Sequence, residues 1–176
     1  FSAFFAFPQE RAYQIFDKRG NKISYKLLID GIINADVVFF GENHNDPISH
    51  WLQLEVTKSL FYEHSDNLML GAEMLESDDQ FKLDEYLAGF IREKDFEKES
   101  KLWPNHKTDY RRLIRFAKDN NLHFVATNIP RRFASMVYRF GIDTLGYLPS
   151  ISKQFIAPLP ILYDTSLACY KKISVM

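Results

Sequence analysis

The 176-residue chain is long enough for one compact domain, and 46% hydrophobic residues with 15% aromatics supply a core, which excludes a disordered chain. Its 22 basic and 23 acidic residues leave a net charge of −1, so no global field draws nucleic acid or an anionic membrane to the whole surface; only local patches can matter, and nucleic acid is not an expected partner. Cys169 is the only cysteine, which excludes an internal disulfide and any C-x-x-C metal or redox motif.

Residues 1–8 open with the apolar run Phe1 to Phe7 and close on Pro8, which reads either as the tail of a signal peptide or as a buried N-terminal strand. Residues 9–176 then form a single domain. Tyr13 to Asp17 and Lys22 to Tyr25 lean towards β structure around Gly20-Asn21, a turn pair, and so predict an N-terminal hairpin. Leu27 to Ile33 follows as a short helix. Val37 to Phe40 is a continuous apolar run, the pattern of a strand covered on both faces, and it ends at Gly41. Asp46 and Pro47 supply a cap and a first-turn proline for a helix reaching His64.

The same unit recurs: Leu68 to Gly71 predicts a strand running into Glu73, and Ser77 to Gln80 has capping-box spacing before an apolar helix. Ile91 to Lys101 reads as a charged, solvated helix closed by Trp103-Pro104. Thr108 to Asn121 is an amphipathic helix carrying Tyr110, Leu113, Ile114 and Ala117 on one face. Leu122 to Ala126 makes the third strand, and Pro130 opens a helix that Gly141 closes. Three strand-to-helix units in series predict an α/β fold, mainly a parallel β-sheet with helices on both faces. Beyond Gly146, Pro149, Pro158 and Pro160 interrupt every window, and the domain reads as truncated at its C-terminus.

Ligands of open parallel sheets gather beyond the carboxyl ends of the strands. Those ends carry Glu42 and His44, then Glu73 and Glu76, then Asn128 with Arg131 and Arg132. Each residue alone has a structural role open to it, such as a cap, a backbone contact or an ion pair. Their convergence on one rim points to a site. Arg131 and Arg132 in the first turn of a helix oppose its dipole, so an anion should compensate them, either Glu42 or Glu73 or a small anionic ligand. Glu42, His44 and Glu73 also make a plausible set for a divalent transition metal, with Asp46 and His50 near in sequence. Tyr138 lies seven residues after Arg131 and therefore on the same helix face. A phenolate there could ligate ferric haem while a cation holds the propionates, with Tyr62, Tyr110 and Tyr163 as rival ligands. The sequence has no phosphate-cradling Gly-rich loop, no G-x-S-x-G elbow and no H-E-x-x-H pair.

The ordered segments VVFFGENHNDPISHWLQLEV, LMLGAEMLESDDQFKLDEYLAG, W-x(6)-Y and LHFVATNIPRR resemble the ChaN-like haem-binding uptake family of the Tiki superfamily across about residues 37–145. The resemblance implies an exported protein, periplasmic or associated with the outer membrane, that works in haem or iron uptake with envelope components. It also implies haem held between the subunits of a homodimer through a tyrosine, with histidine and lysine near the propionates. Tyr138 is the preferred ligand here, with Asn128, Arg131, His50 and Lys58 as further ligand-binding positions. The wider superfamily implies an alternative, a metal-dependent hydrolase in which Glu42 and His44 bind the metal and Glu73 acts as general base.

Overall fold

The computed structural model describes residues 12–162, 164 and 166–173, so both the apolar run Phe1 to Phe7 and Tyr163 lie outside the described residues. The hairpin forms as expected. Strands β1 (Ile15–Phe16) and β2 (Lys22–Ile23) pair antiparallel, with Ile15 opposite Ile23. Gly20 takes φ +83°, and the Asp17 carboxylate accepts from the Arg19 and Asn21 amides at 2.8 and 2.9 Å. Helix α1 (Tyr25–Ile32) begins at Ser24, whose hydroxyl caps Leu27 N, and Tyr25 Oη sits 2.9 Å from Ser59 Oγ on α2 (Pro47–His64).

A small parallel sheet stands at the centre. Strand β3 (Met69–Glu76) pairs with β4 (His123–Asn128), Met69 opposite His123 and Ala72 opposite Ala126. The register breaks between Ala72 and Glu76, and Glu76 then faces Asn128. Helices α3 (Gln80–Leu87), α4 (Glu93–Glu99) and α5 (Arg111–Asp119) cover the face bearing Ala72, Met74, Phe124 and Ala126. Tyr110, Ile114 and Ala117 are buried on one face, as their spacing predicts, and Leu113 packs against them in part. On the opposite side of the sheet Met69, Glu73 and Val125 are exposed. Helix α6 (Arg131–Phe140) follows Pro130 and stops at Gly141, whose φ of +85° suits glycine. After it come a 3-10 turn (Ile142–Tyr147), α7 (Ser150–Lys153) and α8 (Ala168–Ile173). Among the described residues no helix is long and apolar enough to cross a membrane.

The fold class is α/β as expected, with three local departures. Val37 to Phe40 is not a strand: no backbone hydrogen bond links residues 36–42 to another element among the described residues, and Phe39 is 95% exposed. The run has the hydrophobicity of a covered strand, but a strand also needs a backbone edge to pair with. Glu73 lies within β3 rather than beyond its end, because the strand continues to Glu76. The capping box does not form. Ser77 Oγ donates to Phe155 O at 2.9 Å, while Gln80 donates to Phe124 O at 2.9 Å and accepts from Ala126 N at 2.7 Å, tying α3 to β4.

Candidate functional site

The Glu42 carboxylate, with its side chain only 6% exposed, is the hub of the rim. Two elements are brought to it. Asp46 pins the start of α2 by accepting from Ile48 N at 3.0 Å and Ser49 Oγ at 2.7 Å, and the first turns of that helix then present His50 and Gln53. From the other side a π-turn over His106–Tyr110 delivers the Tyr110 phenol; such turns often mark sites where a side chain must be re-aimed. Tyr110 Oη donates to Glu42 Oε1 at 2.6 Å and Gln53 Nε2 to Oε2 at 2.5 Å. Burial pushes the Glu42 carboxyl up, but hydrogen bonds from Tyr110, His44 and Gln53 and the His50 ring outweigh it and hold the group below the usual carboxylate range. The Tyr110 phenol is pushed up by burial and by its bond to Glu42.

Buried His50 stands between two carboxylates, Nε2 at 3.3 Å from Glu42 Oε2 and Nδ1 at 3.4 Å from Asp109 Oδ1. Neither contact is aligned as a hydrogen bond, so proximity rather than directed bonding describes this imidazole. Its ring packs 4.8 Å from that of Tyr110. His50 is thus a member of an internal network.

Outside this hub lies a solvent-facing fringe. His44 Nδ1 is 3.0 Å from Glu42 Oε1 and donates to it in the tautomer the carboxylate requires, while Nε2 lies 4.0 Å from Glu73 Oε1. The imidazole stands edge-on to Trp103 with centroids 4.8 Å apart, and Asn105 Nδ2 donates to His44 O at 2.8 Å. Glu42, His44 and Glu73 do meet, as the rim argument requires. A metal centre assembled from them is not seen among the described residues. Both oxygens of Glu42 already accept from strong donors, and no group of three or more His, Cys, Asp or Glu side chains among the described residues could hold an ion.

The remaining positions separate into two environments. Beyond β3, Lys101 Nζ bridges Glu76 Oε2 at 3.1 Å and Asp78 Oδ2 at 2.8 Å, Arg132 Nη1 pairs with Asp78, and Arg131 N donates to Glu76 Oε2 at 3.2 Å. Burial raises the Asp78 carboxyl, yet Lys101 and Arg132 together bring it below its ordinary range. The anion that compensates Arg132 is therefore Asp78, neither of the two glutamates expected. Asn128 is half-buried at the end of β4. Lys58 pairs with Glu55 at 2.8 Å along α2, and Tyr62 is exposed on the same helix. On α6, the Arg131 guanidinium has no partner among the described residues, and Tyr138 is 92% exposed. Sequence reasoning passed over Gln53, Asp78, Lys101 and Asp109. The W-x(6)-Y spacing was the one available signal, since it places Trp103 and Tyr110 with ring centroids 5.8 Å apart against the hub.

The fold is that of an α/β domain in which the G-E-x-H segment holds Glu42 buried and faces Glu73 of β3 across His44. The chain belongs to the haem-binding uptake family of the Tiki superfamily, ChaN, whose model matches residues 28–176. A solved structure of ChaN from Campylobacter jejuni, showing cofacial haem binding, superposes with a TM-score of 0.61 at 22% identity and covers 72% of this chain. At that identity the likeness establishes the fold. The chain spans 52% of the length of that relative. No curated protein matches the chain at a significant level.

Proposed function

We propose that the chain binds haem on the outer face of α6, as an exported component of haem or iron uptake in the cell envelope, periplasmic or associated with the outer membrane, that acts as a homodimer. One observation carries the placement. Arg131 and Tyr138 lie on one helix face, about 10.5 Å apart along the axis, both exposed and neither occupied by a protein partner among the described residues. Between them stand only Ala134 and Ser135, both exposed, so the strip has a low floor on which a flat ligand can lie. Membership of a haem-binding uptake family and the likeness to a ChaN structure support the ligand class.

The residues fit the group. Bound haem supplies ferric iron, and a phenolate such as that of Tyr138 is a suitable ligand for it. Arg131 offers a planar guanidinium to a propionate. The neighbouring Arg132 is committed to Asp78, which leaves Arg131 to face outward. Titration of the protein with haemin is expected to give a Soret band, with the mass of a dimer by light scattering at saturation. Tyr138→Phe should abolish or shift that band, and Arg131→Ala should weaken binding by roughly tenfold. A Tyr138→Phe protein with the wild-type spectrum and affinity would remove this helix from the reading.

A further inference from the structure

The two strands of the parallel sheet treat their outer edges differently. Within β3 the Glu73 side chain is 64% exposed, a charge that opposes the addition of another strand there. Strand β4 has no Asp, Glu, Lys or Arg from His123 to Asn128, and its exposed Val125 favours pairing. A side chain closes this edge instead. Gln80 Nε2 donates to Phe124 O at 2.9 Å, and Gln80 Oε1 accepts from Ala126 N at 2.7 Å. In a parallel ladder one residue of a neighbouring strand donates to the carbonyl of residue i−1 and accepts from the amide of residue i+1. With Val125 as residue i, the Gln80 amide makes the same two bonds. Gln80 Nε2 also donates to Asp84 Oδ1 at 2.8 Å, so both of its hydrogens and the amide oxygen are committed and the orientation of the group is fixed. Beside it lies a cleft of about 440 Å³ whose walls include Phe81, Asp84, Ala126 and Phe155. There is room for more chain along β4, so hydrogen bonding rather than bulk closes the edge.

We propose that Gln80 is a one-residue substitute for a parallel strand, and that its amide, held by Asp84, protects the β4 edge from association with a second copy of the chain. Phe124 and Ala126 are only 2% and 5% exposed, and without Gln80 their outward carbonyl and amide lose their protein partner. An open edge with no charge along it is a template for another strand. The glutamine that the Ser77–Gln80 spacing assigns to a helix cap is thus spent on the sheet. The inference is independent of haem binding, since none of these residues lies on the Arg131–Tyr138 strip.

Hydrogen exchange and sedimentation of the whole chain, both without haemin, test it. Gln80→Met keeps the length of the side chain and removes its amide. It should speed exchange of the Ala126 amide about tenfold and add an associated, β-rich species, absent from wild type, at roughly 100 µM. Asp84→Ala, at an exposed position, leaves the glutamine but frees its amide to turn, and should speed the same exchange about threefold; it carries the test if circular dichroism shows Gln80→Met unfolded. Val125→Lys puts a charge on the opened edge and, combined with either variant, should remove the associated species. Exchange at Ala126 unchanged from wild type would overturn the proposal, because the edge would then be closed by something else. Faster exchange without association, or association that survives Val125→Lys, would overturn it equally.

Discussion

Replacing Tyr110 by phenylalanine removes one oxygen and keeps the ring that packs on His50 and Trp103. The phenol is buried and donates to a buried carboxylate at 2.6 Å. A hydrogen bond to a charged group contributes about 1.5–3 kcal/mol, and the lost hydroxyl leaves Glu42 with Gln53 and His44 as directed donors. Urea unfolding should show the midpoint lowered at constant slope, with a melting temperature lower by about 3–12 °C. The pH dependence identifies the cause. Glu42 has a folded pKa below its ordinary 4.5, so the stabilisation it brings is complete above that value and is lost as pH falls through the folded pKa. The cost of Tyr110→Phe should therefore be largest near neutrality and shrink as pH falls through the depressed folded pKa of Glu42. A penalty below about 0.5 kcal/mol near neutral pH, or one undiminished in acid, would refute the role given to this bond and assign the effect to packing.

Two other substitutions probe the scaffold. Asp46→Ala removes the cap that orients α2 and with it His50 and Gln53, and should lower the melting temperature by about 2–4 °C while exposing Ile48 N to faster hydrogen exchange. Tyr86, buried and bonded to Glu93 at 3.0 Å, has its phenol pushed up to about 12 by burial first and by Glu93 second. Its contribution is therefore present below pH 10 and lost as pH rises towards about 12, so alkaline unfolding monitored by circular dichroism should be less steep in Tyr86→Phe.

Elements written in local chemistry were legible in the sequence. Asp46-Pro47, Pro130 with Gly141, and the Tyr110, Ile114, Ala117 stripe each specify a helix from residues within a few positions of one another, and each formed. Pairings between distant segments were not legible. Val37 to Phe40 carries the composition of a strand, but its partner edge is a matter of tertiary context that hydrophobicity cannot supply. The Ser77–Gln80 box lost to longer-range competitors, because Phe155 O and the β4 backbone offered Ser77 and Gln80 better-placed partners than the helix end did. The rim showed the same division. That Glu42, His44 and Glu73 come together could be read from pattern, although none of them lies at a strand end, and the donors that fix Glu42 come from positions 53 and 110, which no periodicity connects to it.

That distribution of donors decides where an anionic ligand can act. Glu42 is enclosed by a phenol, an amide and two imidazoles, and Asp78 and Glu76 take up Lys101 and Arg132. The cations of the rim are thus largely spent on its own carboxylates. Glu76 also accepts the first free amide of α6 from Arg131, which places a carboxylate at the positive end of that helix and offsets two adjacent arginines there. Once the backbone of Arg131 is satisfied in this way and Arg132 is drawn to Asp78, the helix rotation of about 100° per residue leaves the Arg131 side chain facing solvent. Substituting Glu76 with glutamine should therefore weaken the start of α6 and lower haem affinity together, while leaving the side chains of Arg131 and Tyr138 in place. A measured loss of haem affinity with helix content intact would instead mean that Glu76 acts on the ligand itself.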